Sequence, residues 1–430
     1  MNTGRKGNKW YKLDNAAIII PCSAHGADTR VFRIACELNE DVDPAQLQVA
    51  LDETLKEFPY LNSCLRKGLF WYYLDALPFG AKVEEDAEPV MFPIYIPGRR
   101  NLLYRVTYYK RRINLEMFHV LADGTGAIIF LRRLLTNYLS AVHHLEPCAA
   151  QDCSSADEKT IDAFSRYYQH EKDFKIGQLK SVNAYQLHGE RDMNQLSHVV
   201  EAVLSARQFV DAAHKYNTTV GVFATSLYIA AVIDGMSIHD STRPVVVSVP
   251  VNLRQFFPSD TTRNFFGVIT IIFYAKDYDG DLQSIIKVVK YQFSEQLQHE
   301  NISNTMNSFS ALVHNMAIKF IPLVLKEPGL TYFIYLQRKG VTASMSNMER
   351  ITMPDEITPY IDHFAAFMSA PGMQVTMAAF GDKLVFGSAG TFTTHPVMLR
   401  FYRRLTEIGI DVEIATNDYN DHSADKTEAR

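Results

Sequence analysis

The sequence predicts an α/β (α+β) protein of two domains, and three observations carry that expectation. Strand patterns run into amphipathic helices, and this order restarts after a polar, poorly periodic stretch from Glu146 to about Gln195. The length of 430 residues accommodates two or three domains at roughly 100–200 residues each. Apolar side chains make up 47% of the chain, enough for sizeable cores. The boundary falls in the polar stretch, giving halves 1–190 and 191–430 with a linker over about 146–195.

In the first half, Arg30–Leu38 alternates β-branched and aromatic residues, the mark of a strand with one buried face. Asp43 can accept from first-turn amides, Pro44 suits the first helical position, and Leu47, Leu51, Leu55 and Phe58 recur at helical spacing until Pro59. Leu102–Tyr109 and Ile113–His119 flank Lys110-Arg111-Arg112 as a hairpin. The second of these strands runs into His119-Val120-Leu121-Ala122-Asp123-Gly124, and Thr125 to about Val142 is helical, with Ile128, Leu131, Leu135 and Tyr138 on one face. The second half restarts with a strand at His198–Leu204, a helix capped by Ser205, and an apolar helix, Val220–Ile233, with Thr218 as its cap. Strands follow at Val245–Val249 and Val268–Phe273, and helices fill Asp281–Glu300 and much of Ser303–Leu336, broken at its prolines. Strands return at Val341–Ser346, Gln374–Ala379 and Leu384–Ser388. A helix covers Pro396–Ile408, a last strand Asp411–Ile414, and the tail from Asn417 is polar and loose.

With 43 basic and 48 acidic side chains the formal charge is −5, which sets aside a nucleic-acid binder. The five cysteines, Cys22, Cys36, Cys64, Cys148 and Cys153, have no paired spacing and fit a reducing compartment, so a cytoplasmic address is expected. The amino-terminal segment carries positive charge but lacks the apolar run and cleavage site of an export signal. Val220–Ile233, interrupted by Thr225 and Ser226, is too short for roughly 30 Å of hydrocarbon, so no transmembrane segment is expected. His143, His144, Cys148 and Cys153 match no zinc-ligand spacing, and no metal site is expected. The apolar stretch Ile318–Leu336 could line a tunnel or lie against a membrane, packed core being the commoner outcome.

A histidine at a strand end, followed four residues later by Asp and then Gly at a helix onset, has a mechanical use. The strand end fixes the imidazole and the glycine lets the backbone turn. A neutral imidazole can take a proton from a hydroxyl, amine or thiol as that atom attacks an acyl carbonyl. On the local pattern alone, His119 reads equally as such a base or as a satisfied core histidine. Asp123 needs a cationic partner if buried.

The surrounding segments resemble the HxxxD acyl-CoA-dependent acyltransferases of the chloramphenicol acetyltransferase-like superfamily. Phe32–Leu74, Arg33 excepted, is similar to the family's opening strand, first helix and following strand pair. His119–Leu135 resembles the catalytic loop and its helix, and Val247–Thr270 the start of the second half, where an Arg and an Asn-x-x-Gly precede a crossing strand. Thr342–Pro354 and Leu405–Asn417 are similar to the bacterial or fungal alcohol acetyltransferase branch. Phe118 stands where condensation domains carry a second histidine, and the plant branch's DFGWG segment is replaced by Ala379-Phe380-Gly381-Asp382.

The resemblance implies two domains, each a mostly antiparallel or mixed sheet covered by helices, with an active-site tunnel between them. It gives His119 the role of general base, Asp123 a structural role with Gly124 in the loop turn, and Arg254 that of Asp123's ion-pair partner. A planar guanidinium suits a buried carboxylate, while an exposed surface cation is the alternative for Arg254. Asn264, Ser346 and Asn347 are candidates for oxyanion or substrate contacts, each with a turn or strand-edge role as alternative. The implied reaction moves an acyl group, acetyl foremost, from acyl-CoA as co-substrate to an alcohol or amine. It proceeds by direct attack and needs no bound metal or redox cofactor. The basic residues of Arg5–Lys12 and Arg99–Arg112 could meet coenzyme A phosphates or form solvated faces. Two rivals remain: a carrier-protein thioester as donor, making an acyl carrier protein a partner, and a non-catalytic binding module that kept the fold.

Overall fold

Alternating strand patterns and capped helices assemble, in the computed structural model, into three sheets. The structure describes residues 9–146, 155, 158–169, 182–314 and 319–417. Of the sequence expectations, Cys148, Cys153, the middle of the linker, Arg5–Gly7, Ile318 and the tail beyond Asn417 lie outside the described residues.

Strands are numbered in chain order. A small sheet joins β1 (Trp10–Lys12), β3 (Ser63–Lys67) and β4 (Tyr72–Ala76) in the order β1-β4-β3. A five-stranded sheet comprises β2 (Val31–Leu38), β5 (Val83–Glu85), β6 (Tyr104–Tyr109), β7 (Arg112–Phe118) and β12 (Ile361–Met368), ordered β12-β2-β7-β6-β5. The seven-stranded sheet holds β8 (His198–Ser205), β9 (Pro244–Asn252), β10 (Phe266–Tyr274), β11 (Ala343–Arg350), β13 (Met373–Phe380), β14 (Lys383–Gly390) and β15 (Glu413–Thr416). Its order is β10-β9-β11-β13-β14-β8-β15. Pairing is antiparallel throughout the two larger sheets except that β11 runs parallel to β9 and β13, and β5 parallel to β6. Mixed sheets covered by helices were expected.

The helix Pro44–Leu55 starts where its cap dictates, with Asp43 Oδ1 accepting from the amides of Ala45 and Gln46 at 2.9 and 3.1 Å. The β6–β7 hairpin turns at Lys110 in the left-handed region, φ +49°. Val220–Ile233 is almost wholly buried, packed against β9 and the helices Leu282–Gln296 and Pro396–Glu407. Its cap is Thr219 rather than Thr218, one residue nearer the first turn, where the hydroxyl reaches the Val222 amide at 3.4 Å. Among the described residues, no single helix is long and apolar enough to cross a membrane.

Several elements differ from the sequence expectation. Among the described residues after Asp281, helices run over Leu282–Gln296, His299–His314 and Leu323–Arg338; Pro322 precedes the last of these, and Pro328 sits inside it without breaking it. The strands expected at Val341–Ser346 and Asp411–Ile414 occupy Ala343–Arg350 and Glu413–Thr416. β12 was not anticipated, because Asp362 and His363 interrupt any apolar alternation, yet it pairs with β2 along its length and so carries the chain's second half into the five-stranded sheet.

Two large cores form, each drawing on both halves of the sequence, with Leu323, Ile351 and Phe364 in the first and Ala16 and Phe164 in the second. A smaller apolar cluster lies between the sheets, built from Val31, Ala35, Ala365 and Phe367 on one side and Val199, Val385 and Ala389 on the other. There the backbones come so close that a Cβ on Gly387 would stand 2.1 Å from the Ala366 carbonyl oxygen. A polar seam continues the contact: Arg112 donates to both carboxylate oxygens of Glu201 at 2.9 and 2.8 Å, and Glu201 also meets His363 Nε2 at 2.8 Å.

Candidate active site

β7 ends at Phe118, and the next residue, His119, donates its backbone N–H to the Arg30 carbonyl at 2.9 Å. This bond holds the imidazole just past the end of the sheet's central strand, with the Phe32 ring edge-on at 5.3 Å and Phe266 tilted at 5.6 Å. Burial among these groups lowers the His119 pKa from its ordinary 6.5, so the ring is neutral at neutral pH.

Which nitrogen carries the proton follows from the partner. His119 Nδ1 lies 2.9 Å from Asn264 Oδ1. The amide's orientation is assigned by its other end, where Nδ2 donates to Asp14 Oδ2 and to the His119 carbonyl, both at 3.1 Å. Asn264 Oδ1 therefore accepts from Nδ1–H, and the lone pair is left on Nε2. Asp14 is buried at 1% exposure. Burial pushes its carboxyl up to about 6, opposed by the Arg263 guanidinium 3.6 Å away.

Asp123 caps the helix Gly124–Val142, its Oδ1 accepting from the Gly126 amide at 2.9 Å. Oδ2 accepts from the Phe265 amide at 2.8 Å and from Arg254 Nη1 at 2.8 Å, while Arg254 Nη2 reaches Oδ1 at 3.3 Å. Both oxygens are thus engaged within the protein. Arg254 stands just beyond β9, and its remaining donors bind the carbonyls of Thr261 and Arg263 at 2.9 and 2.7 Å. One guanidinium ties the 252–265 loop of the second half to the helix onset of the first, with both partners about nine-tenths buried.

The backbone order and this meeting of two halves can be compared with known proteins. No protein-family model and no curated protein sequence matches the chain. Solved structures do. TRI101 of F. graminearum, complexed with ethyl coenzyme A, superposes with a TM-score of 0.64 at 10% identity, over 95% of this chain and 100% of that one. The first condensation domain of the CDA synthetase gives 0.61 at 15% identity, over 94% and 97%. Polyketide synthase associated protein 5 from Mycobacterium tuberculosis gives 0.59 at 14% identity, over 92% and 97%. The fold is the two-domain chloramphenicol acetyltransferase-like one.

Within this chloramphenicol acetyltransferase-like fold, the sequence-derived site residues separate into two groups. His119, Asp123, Arg254 and Asn264 converge at the meeting of the halves. Asn264 sits differently from an oxyanion donor, because both its amide hydrogens are already engaged by Asp14 and the His119 carbonyl. Gly124 is the first helical residue and is absent from the left-handed glycines, so no sharp turn requires it; a Cβ there would meet only the Met348 methyl at 3.1 Å. The steric demand falls instead on Gly126, where a Cβ would lie 2.0 Å from the Thr262 carbonyl oxygen. Ser346 is half-buried on β11, two residues from the Met348 side chain that approaches Gly124. Asn347 is exposed, and its Oδ1 accepts from the Glu349 amide at 2.9 Å, a turn contact at a break in the ladder.

Asp14 and Gly126 were not legible as site residues. Nothing in Leu13-Asp14-Asn15 marks a carboxylate that packs under the imidazole's partner, and Gly126 had only its closeness to Asp123 as a signal. Within Arg99–Arg112, Arg100, Arg105, Arg111 and Arg112 each pair with a carboxylate, while Arg99 and Lys110 are exposed. His143 stacks on Tyr360 and meets Glu40, and no group of three metal-ligating side chains occurs among the described residues. A cleft of about 230 Å³ lies between Thr29, Pro89–Pro93 and Asn194–Ser197; His119 is not on its wall.

Proposed function

We propose that this chain is an acyltransferase that moves an acyl group, acetyl foremost, from a coenzyme A thioester to a hydroxyl or amine acceptor. The observation that carries the reading is the neutral His119, whose Nδ1 is held by Asn264 so that Nε2 is available as a base in a loop clamped by Asp123 and Arg254. The fold, shared with a protein complexed with ethyl coenzyme A and with condensation domains, supports it.

In this scheme the acceptor oxygen or nitrogen attacks the thioester carbonyl carbon while Nε2 takes its proton. The tetrahedral intermediate collapses with cleavage of the carbon–sulfur bond, and the imidazolium returns the proton to the departing thiolate. Ester or amide and free thiol result, with no acyl-enzyme and hence sequential kinetics. Asp123 and Arg254 position the loop and touch no reacting atom. Ser346 is the remaining candidate for an oxyanion donor. The catalysis runs on side chains alone, in a cytoplasmic setting.

The test is thiol release from acetyl-CoA and longer acyl-CoAs with a panel of alcohols and amines, beside His119→Ala at matched folding. Acceptor-dependent release that falls by about 10²–10⁴ in the variant is expected. Release that never exceeds the variant with any coenzyme A thioester sinks the reading. A carrier-protein thioester, favoured by the likeness to condensation domains, is then tested with carrier-bound acyl groups. If these also fail, the non-catalytic reading stands.

A further inference from the structure

The helix Leu323–Arg338 departs from the usual polarity of a surface helix, being apolar on its solvent side. Beside Leu323, Leu330 and Ile334, which pack on the core, charged side chains also turn inward: Glu327 pairs with Lys67 at 2.9 Å and with the Tyr72 hydroxyl, Arg338 donates to the Ser23 carbonyl at 3.0 Å and to Asp28, and the Lys326 ammonium lies over the Trp71 ring. Its outward positions are apolar. Val324 is 75% exposed, Leu325 71%, Tyr332 63% and Tyr335 53%. Packed core, the commoner outcome for this stretch, is met on one side only: Leu323 is buried and Leu330 and Ile334 pack against the first core, while the solvent side stays apolar.

The patch extends beyond one helix. At the tip of the β3–β4 hairpin Leu69 is 70% exposed, and its carbonyl accepts from the Leu323 amide at 2.8 Å. Phe70 meets Phe320 edge-on at 6.3 Å. A continuous apolar surface of this kind marks an interaction face. Its charge selects the occupant. Of the basic residues in Arg66–Trp71 and Lys319–Gly340, Lys326 and Arg338 turn inward and Lys67 pairs with Glu327, which leaves Arg66, Lys319 and Lys339 to rim the patch in a chain whose net charge is −5. Lys319 and Lys339 stand exposed at the two ends of the patch.

An apolar face rimmed by cations is complementary to an anionic lipid surface, where apolar side chains enter the acyl boundary and lysines meet headgroup phosphates. We propose that this face docks the protein on anionic membrane surfaces, with the helix lying in the plane of the interface. The proposal stands independently of the acyl-transfer reading.

The test is co-sedimentation of the full chain with vesicles of phosphatidylcholine alone and of phosphatidylcholine mixed with phosphatidylglycerol. Binding is expected to the mixed vesicles, to weaken with salt, and to fall at least about tenfold when Leu325→Glu and Tyr332→Glu are combined. Both side chains are exposed, so circular dichroism and thermal unfolding of that variant should match the parent. Ile238→Glu, at an exposed site elsewhere (89%), should bind like the parent, and Lys319→Glu with Lys339→Glu should remove the preference for phosphatidylglycerol. Absence of binding by the parent, or equal binding by the Leu325/Tyr332 variant, overturns the proposal. So does a concentration-dependent dimer that the same pair dissolves, which would assign the face to a second copy of the chain.

Discussion

His119 is set up as a base by what surrounds it: burial keeps it neutral and Asn264 fixes its tautomer. Because its pKa is lowered from 6.5, the acidic limb of kcat/KM for acyl transfer should lie below pH 6.5, read from a pH–rate profile. The same shift removes stability as the pH falls below 6.5, where the unfolded chain binds a proton that the folded site refuses. Asn264→Ala should leave the fold intact but lower kcat by roughly 10–100-fold, the worth of a hydrogen bond that tightens onto a developing imidazolium, and should displace that limb. A loss in KM alone would contradict the positioning role. Arg254→Ala leaves the Asp123 carboxylate buried without its cation, so urea unfolding should show a loss of about 3–5 kcal/mol, and Arg254→Lys should restore little, since an ammonium cannot span Asp123 and the Thr261 and Arg263 carbonyls together. His119 and Asp123 were visible in the sequence because a strand end and a helix cap are local signals. The role of Asn264 was not, because it depends on which of its amide atoms faces which neighbour, and those neighbours come from positions 14 and 119.

At the scale of elements, the helix Gly124–Val142 begins against the 252–265 loop with no room for a side chain at one of its glycines. Gly126→Ala would force a Cβ into the Thr262 carbonyl and should cost about 1–3 kcal/mol in urea unfolding together with activity. Gly124→Ala meets only the flexible end of Met348 and should stay close to the parent in both measurements. Equal losses from the two would show that the glycines serve the loop's conformation rather than its packing. The onset of this helix was readable from Asp123 and the apolar spacing after it. Leu323–Arg338 was not readable in the same way: an apolar run reports hydrophobicity, and only the positions of Lys67, Tyr72 and Asp28 turn its charged side inward.

Over the whole molecule, the seam of Arg112, Glu201 and His363 joins the two large sheets and is sensitive to pH. Burial would raise the Glu201 pKa, but hydrogen bonds from His363 and Arg112 outweigh it and hold the carboxyl at about 2. Burial would lower that of His363, and its hydrogen bonds to Glu201 and Asp362 raise it above 6.5. The contribution of Glu201 is therefore present above 4.5 and fades as the pH falls toward 2, whereas that of His363 is complete below 6.5 and fades as the pH rises through its folded value. Compared with His363→Gln, the parent should be more stable at pH 5 to 6, and the gap in urea midpoints should narrow toward alkaline pH. A gap constant with pH would place the histidine outside the ionic seam.

The two-part α/β plan, most strand and helix positions, and the strand–His–x–x–x–Asp–helix order were determined by the sequence, because periodicity, caps and turn residues act between neighbours a few positions apart. The tertiary structure alone decided what joins distant positions. It laid β12 beside β2, set Arg254 on Asp123 across 131 residues, placed Asp14 beneath Asn264, and left Val324, Leu325, Tyr332 and Tyr335 of Leu323–Arg338 exposed. Those pairings arise from packing whole sheets against each other, where a carboxylate or a missing Cβ counts only through the group that comes to lie opposite it.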